Sequence, residues 1–177
     1  MIPAIIYIIA VLAANYTATW FIPLPIFGQV AVGTLIFGIT FDQRDRLHHY
    51  HGRKAVYWTI GITALLNILE SALLGVSPRI IIASLTAIIL SEGTDTEIYQ
   101  KFLQRPWLER VVRSNAISIP MDTVLFNCIA FLGVFAPVML ISIMFGEILV
   151  KAIVSGVVAL WRVKGSPRAV ESTNSAP

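Results

Sequence analysis

Apolar residues along this chain gather into six stretches separated by short polar segments. The first runs from about Pro3 to Trp20, the second from about Ile26 to Phe41, and the third from about Ala55 to Leu74. The fourth opens at Ser77-Pro78, a cap residue followed by proline in the first turn, which is a helix-start signal. It is apolar to Leu90, then turns polar while staying helical to about Leu103. The fifth covers about Val111 to Val134 and the sixth about Pro137 to Trp161. A helix needs roughly 20 apolar residues to cross a bilayer, so these lengths predict six membrane-spanning helices.

Composition sharpens that picture. Of the 177 residues, 56% are hydrophobic and 13% charged, against about 25% charged in a soluble domain. Water cannot solvate such a surface, so lipid must. The positive charge is also one-sided. Eleven Lys and Arg fall in the segments after stretches two, four and six, and only Arg79 falls on the other side. By the positive-inside rule, both termini and those segments face the cytoplasm. Trp20, Tyr57, Trp58 and Trp161 sit at stretch ends, as interfacial aromatics do. The expected fold is therefore an all-α integral membrane protein of the inner membrane, a compact bundle of six transmembrane helices with both termini cytoplasmic. Residues 1–163 form the transmembrane domain and 164–177 a disordered cytoplasmic tail. Nucleic-acid binding is excluded by the placement of the basic residues in short connecting segments, with no basic groove. The lone Cys128 excludes an internal disulfide and reads as a packing residue.

Candidate chemistry lies in polar residues that interrupt the apolar pattern. Glu147 and Lys151 are one helical turn apart within the sixth stretch and can pair on one face. Facing lipid, each would cost about 2.5 to 3.5 kcal/mol at the bilayer centre, so both should face protein or water. Asn67 and Glu70 are a turn apart on the third helix. Glu92 and Asp95 share one face of the fourth, with Tyr99 a turn beyond. Asn115, Ser118 and Asp122 share a face of the fifth, next to Pro120, which removes a backbone hydrogen bond and predicts a kink. Asn15 is the polar residue of the first.

Each has a plainer reading. Glu92, Asp95 and Glu97 would simply be solvated at a helix end, Glu70 would sit at the outer interface, and Glu147 with Lys151 would lock two helices. Together they favour a polar cavity between the fourth, fifth and sixth helices. Carboxylates accept from N–H edges, and asparagine both donates and accepts. A flat heterocycle with donors along one edge fits that set, with Tyr16, Trp20 or Tyr57 available to stack. His48, His49 and His51 cluster in one connecting segment and read as solvated, so no metal is expected. No nucleophile and base arrangement, phosphate loop or cofactor motif is present, so no enzyme is expected. Ala10, Ala14 and Ala18 recur at four-residue spacing and allow close helix packing, either internally or against a partner membrane protein.

The stretch from Ser91 to Gly133 resembles the vitamin-uptake transporter family, whose best-known members import queuosine precursors. The resemblance rests on Ser91, Glu92, Asp95, Thr96 and Tyr99, then Trp107, Ser114 and Asn115, then Asp122, Thr123 and Phe126. Phe37 to Phe41 with Arg44, Asp45, Arg46 and the Gly52-Arg53 turn also fit, as do Glu147 and Lys151. Ile119-Pro120-Met121 departs from the glycine-containing segment that often precedes the family's Asp-Ser/Thr. The resemblance implies an importer of a 7-deazaguanine, 7-cyano-7-deazaguanine (preQ0) first. The substrate-binding set is then Glu92, Asp95, Asn115, Asp122, Lys151, Glu147, Asn15 and Asn67. The partners are this heterocycle and membrane lipid, with a homo-oligomer open and an ATPase coupling partner not expected but not excluded. Two rival readings stand beside it: the substrate-capture subunit of an energy-coupling vitamin transporter, and a structural membrane protein with no small ligand.

Overall fold

A computed structural model describes residues 2–24 and 28–165, with side chains through Trp161. The described residues form five helices and one small hairpin: α1 (Ile2–Tyr16), β1 (Phe21–Leu24), β2 (Gly28–Ala31), α2 (Val32–Leu74), α3 (Pro78–Lys101), α4 (Trp107–Phe131) and α5 (Pro137–Gly165). Two of these helices, α2 and α5, are long and apolar enough to cross a membrane. The expected tail from residue 164 lies outside the described residues, apart from the last turn of α5.

The hairpin is the first departure from the sequence reading, which ran the first helix on to Trp20 and began the second at Ile26. α1 already ends at Tyr16, and Pro23, which lacks an N–H, sits in a strand of the hairpin and not in a helix. Phe21 pairs with Ala31 and Leu24 with Gly28 in an antiparallel ladder. The hairpin is held by aromatic edges, with the Phe21 ring 5.6 Å from Phe131 and 5.4 Å from Phe135.

The second departure is α2. Helical backbone runs from 32 to 74 with a kink at Gly52, where φ is 75° and ψ 173°. Only glycine takes that conformation without strain. The break divides α2 into arms at 32–51 and 53–74, and the second doubles back along the first. Ala14 and Asn15 of α1 show this: a Cβ on Gly33 would lie 2.3 Å from the Ala14 carbonyl oxygen, while Asn15 bonds Asn67 at 2.8 Å. Residues 34 positions apart in α2 thus meet the same turn of α1. One consequence is that the segment around Arg44 to His48, expected in a solvated loop, is buried helix.

The arms and α1 share one apolar cluster, including Tyr7, Val11, Phe37, Phe41, Leu47, Val56 and Ile60. The alanine row of α1 is used internally, because Ala10, Ala14 and Ala18 are all buried. It therefore offers no docking surface. Gly33→Ala should force α1 and α2 apart, costing about 1 to 3 kcal/mol of stability as overpacking does. A lower melting temperature in detergent would register it, and an unchanged one would show that the approach relaxes freely.

Arg79 closes the C-terminal end of α4. Its Nε donates to the Ile129 carbonyl at 2.8 Å and its Nη2 to the Leu132 carbonyl. Carbonyls there lack helical partners, and a cation suits that end of the dipole.

Candidate functional site

All eight residues singled out from the sequence are buried, so none is a solvated helix end. Of the three acidic residues read at that helix end, Glu97 alone follows the solvated reading. It accepts from the Tyr57 hydroxyl at 2.8 Å and lies 3.5 Å from Arg53, both at the surface. Tyr57 is thereby engaged at that surface, away from the buried polar groups.

The eight do not form one constellation. They divide between two clusters and an amide pair. The first cluster is organised by Arg44, which the sequence reading left in a loop. Its Nη1 donates to Glu92 Oε2 at 2.8 Å, and Nε and Nη2 both donate to Asp45 Oδ1 at 3.2 and 3.0 Å. Nη2 also donates to Asn115 Oδ1 at 3.2 Å and lies 2.7 Å from Asp95 Oδ2, off the hydrogen-bonding axis. A guanidinium is suited to this role because its planar fork presents five donors at once. Around it, Ser118 donates to Asp95 Oδ1 at 2.6 Å and Asn115 donates to Ser155 at 2.8 Å. Arg44, Glu92 and Asp95 are each 1% exposed or less, which makes this a charge cluster with no solvent screening.

The second cluster joins α4 to α5. The expected i to i+4 pairing of Glu147 with Lys151 is replaced by pairing between helices. Lys151 Nζ donates to Asp122 Oδ2 at 2.8 Å and to Thr123 Oγ1 at 3.1 Å. Glu147 Oε2 instead accepts from Asn127 Nδ2 at 2.7 Å. The reason is geometric: α4 brings Asp122 to the lysine, leaving Glu147 to the asparagine. Ser91 Oγ reaches Asp122 Oδ1 at 3.3 Å, and since Glu92 follows directly, α3 touches both clusters. Phe37 and Phe41 stand one turn apart on α2, under Lys151 and Arg44 respectively, each ring centroid 5.3 Å from its cation.

A small cavity opens beside the second cluster. Its walls come from every helix: Asn15 of α1, Phe37 of α2, Ser84 of α3, Asp122 and Phe126 of α4, and Glu147 and Lys151 of α5. This cavity draws on all five helices, where the expected site drew on the last three. Glu92, Asp95 and Asn115 are absent from its lining. The free volume is about 30 Å³, room for one or two waters. Glu147 Oε1 is buried without a hydrogen-bond partner, so this wall has an acceptor to spare. The amide pair of Asn15 and Asn67 flanks the cavity through Asn15.

Arg44, Asp45 and Asn127 escaped selection as site residues. Asn127 left a signal, an amide inside the apolar run from Val124 to Leu132. Arg44 and Asp45 left a weaker one, since they lie within a turn of the end of the apolar second stretch. His48 also departs from expectation. It is buried, its Nε2 lies 2.8 Å from Gln100 Oε1, and its ring stacks 4.6 Å from Tyr99. Among the described residues, no group of His, Cys, Asp and Glu is placed to hold a metal ion.

Charged networks buried between apolar helices are expensive, and in membrane helices they mark substrate or ion pathways. A membrane transporter is one class of protein with a use for such networks, and sequence comparison points to that class. A family profile described as putative vitamin uptake transporter matches residues 69–163, more than half of the chain, and the chain belongs to that family. The matched region contains Glu92, Asp95, Asn115, Asp122, Glu147 and Lys151, and leaves Asn15, Arg44 and Asn67 outside. The chain is also 28% identical over 160 residues to the "Probable queuosine precursor transporter" of Bacillus subtilis (strain 168), covering 73% of this chain and 69% of that protein. No solved structure matches.

Proposed function

We propose that this protein is an inner-membrane importer of a 7-deazaguanine, with 7-cyano-7-deazaguanine as its first candidate substrate. The carrying observation is the cavity walled by Asn15, Asp122, Glu147 and Lys151, with Phe37 and Phe126 beside them. The guanine-like edge of such a molecule donates N–H groups to carboxylates and accepts from an ammonium, while its faces need aromatic or apolar walls. The similarity to a queuosine precursor transporter points to the same chemistry.

In this reading α1, the two arms of α2, α3, α4 and α5 are the six spans, and the basic end of the bundle faces the cytoplasm. The cavity is smaller than a bicyclic base, so loading requires helices to part. The ion pairs are placed to govern that motion. Arg44 ties α2 to α3, and Lys151 ties α5 to α4. Substrate that engages Asp122 and Glu147 would compete with Lys151 for its partner and loosen the second tie. Glu92, Asp95 and Asn115 thereby become residues that hold the closed state, acting on substrate through Arg44.

The test is rescue of queuosine in tRNA, in a bacterium lacking both precursor synthesis and its own importer, supplied with low 7-cyano-7-deazaguanine. Restored queuosine, abolished by Asp122→Asn with the protein still in the membrane, is the expected result. Failure of the wild-type chain to rescue, with membrane insertion shown, would remove this substrate.

A further inference from the structure

Beyond the central cavity lies a second, larger space, at the hairpin end of the bundle. It has a volume of about 310 Å³ and is lined by Asn15, Tyr16, Thr19, Trp20, the Leu74–Ser77 turn and Ile80. We infer that this crevice is a first binding station for a planar nitrogen heterocycle, and that the contact between Asn15 and Asn67 is the gate from it to the central cavity. The inference rests on the transport reading and adds to it a site and an order of events.

Four observations carry it. The first is size, since about 300 Å³ is the lower end of the range for small-molecule pockets. The second is an aromatic corner: the Tyr16 and Trp20 rings lie 5.6 Å apart at 66°, and are 47% and 54% exposed. Rings set at that angle offer a face for stacking and an edge for a second contact. The third is a floor held in shape. Gly75 takes the left-handed conformation at the end of α2, Ser71 Oγ donates to the Val76 carbonyl at 2.8 Å, and Pro78 opens α3. The floor therefore needs little ordering when a ligand arrives.

The fourth observation is the partition itself. Asn15 lines both the crevice and the central cavity, and is buried between them. Its Nδ2 donates to Asn67 Oδ1 at 2.8 Å, while Asn67 Nδ2 is fully buried with no hydrogen-bond partner. A pair of amides is the complement of a lactam edge, which presents one donor and one acceptor side by side. Such an edge can replace the Asn15 to Asn67 bond and give the idle Asn67 N–H an acceptor. Being neutral, the pair opens without separating charges. In the orientation proposed above, the crevice faces outward, on the side from which substrate arrives.

The experiment combines uptake of radiolabelled 7-cyano-7-deazaguanine by proteoliposomes with quenching of tryptophan fluorescence by the same compound. Trp20→Leu should raise KM about tenfold, the worth of one stacked base, and leave the maximal rate within twofold. It should also remove the quench. Asn67→Leu should keep the quench yet reduce uptake at least tenfold at every concentration. Asn67→Asp, close in shape and able to hold Asn15 too tightly, should behave alike and stands in should the leucine variant fail to fold. An unmoved KM in Trp20→Leu, or normal uptake through both Asn67 variants, would overturn the inference while leaving the transport reading intact. Absence of wild-type uptake would remove both.

Discussion

Arg44→Ala is expected to lower the stability of the detergent-solubilised protein by about 3 to 5 kcal/mol, the cost of leaving buried charge unpaired. Asp45, Glu92 and Asp95 all converge on this one guanidinium, and none of the four has access to water. Removing the cation leaves three carboxylates facing one another. Lysine should not substitute for it, because one ammonium cannot reach three carboxylates that a planar fork meets from three directions. The cluster already holds two more carboxylates than cations, so Glu92→Gln should be mild, changing stability by no more than about 1 kcal/mol. Thermal unfolding followed by size-exclusion chromatography separates the outcomes. A wild-type melting temperature for Arg44→Ala would mean that water reaches the cluster and screens it.

The second large effect concerns Lys151. Lys151→Met should lower uptake roughly a hundredfold, the scale of truncating one partner of a buried charge pair. It should also destabilise the protein, because Asp122 is left buried without its cation. The double variant Lys151→Met/Asp122→Leu should recover most of that stability, since a buried ion pair is commonly replaced by apolar residues without loss. It should not recover uptake. Stability and transport would thus part company, which a purely structural role of the pair does not allow. Uptake by the double variant within a few-fold of wild type would assign the pair to packing alone. The structural-protein reading fails if the single Asp122→Asn variant keeps its abundance and loses import.

Much of the architecture was legible in the linear pattern. The helical segments follow the apolar stretches, and Gly52 breaks α2 where the Gly52-Arg53 turn was read. Ser77-Pro78 marks the start of α3 as expected. The hairpin was not legible, because its strands are short and apolar residues continue through them from α1. Burial of Arg44, Asp45 and His48 was also hidden. A charged run after an apolar stretch looks the same whether it emerges into water or turns inward to meet another helix.

The choice of site residues followed a similar division. Helical periodicity identifies which polar groups share a face, and Glu92 with Asp95 do meet one guanidinium from one face of α3. Periodicity is silent on which face meets which. Arg44 finds Glu92 at a separation of 48 residues, Lys151 finds Asp122 at 29, and Asn15 finds Asn67 at 52. The i to i+4 relation made Glu147 the natural partner of Lys151, yet the packing of α4 against α5 overrode it.

By itself, then, the sequence determined the solvent class, the helices, and the set of polar residues that lipid cannot accept. Those follow from composition and local periodicity, which act residue by residue. Tertiary structure alone decided the pairing of charges, the doubling back of α2, and the division of eight candidates between two charge clusters and an amide pair. These depend on the rotation and depth of each helix against its neighbours, and that is settled by packing between segments distant in the chain.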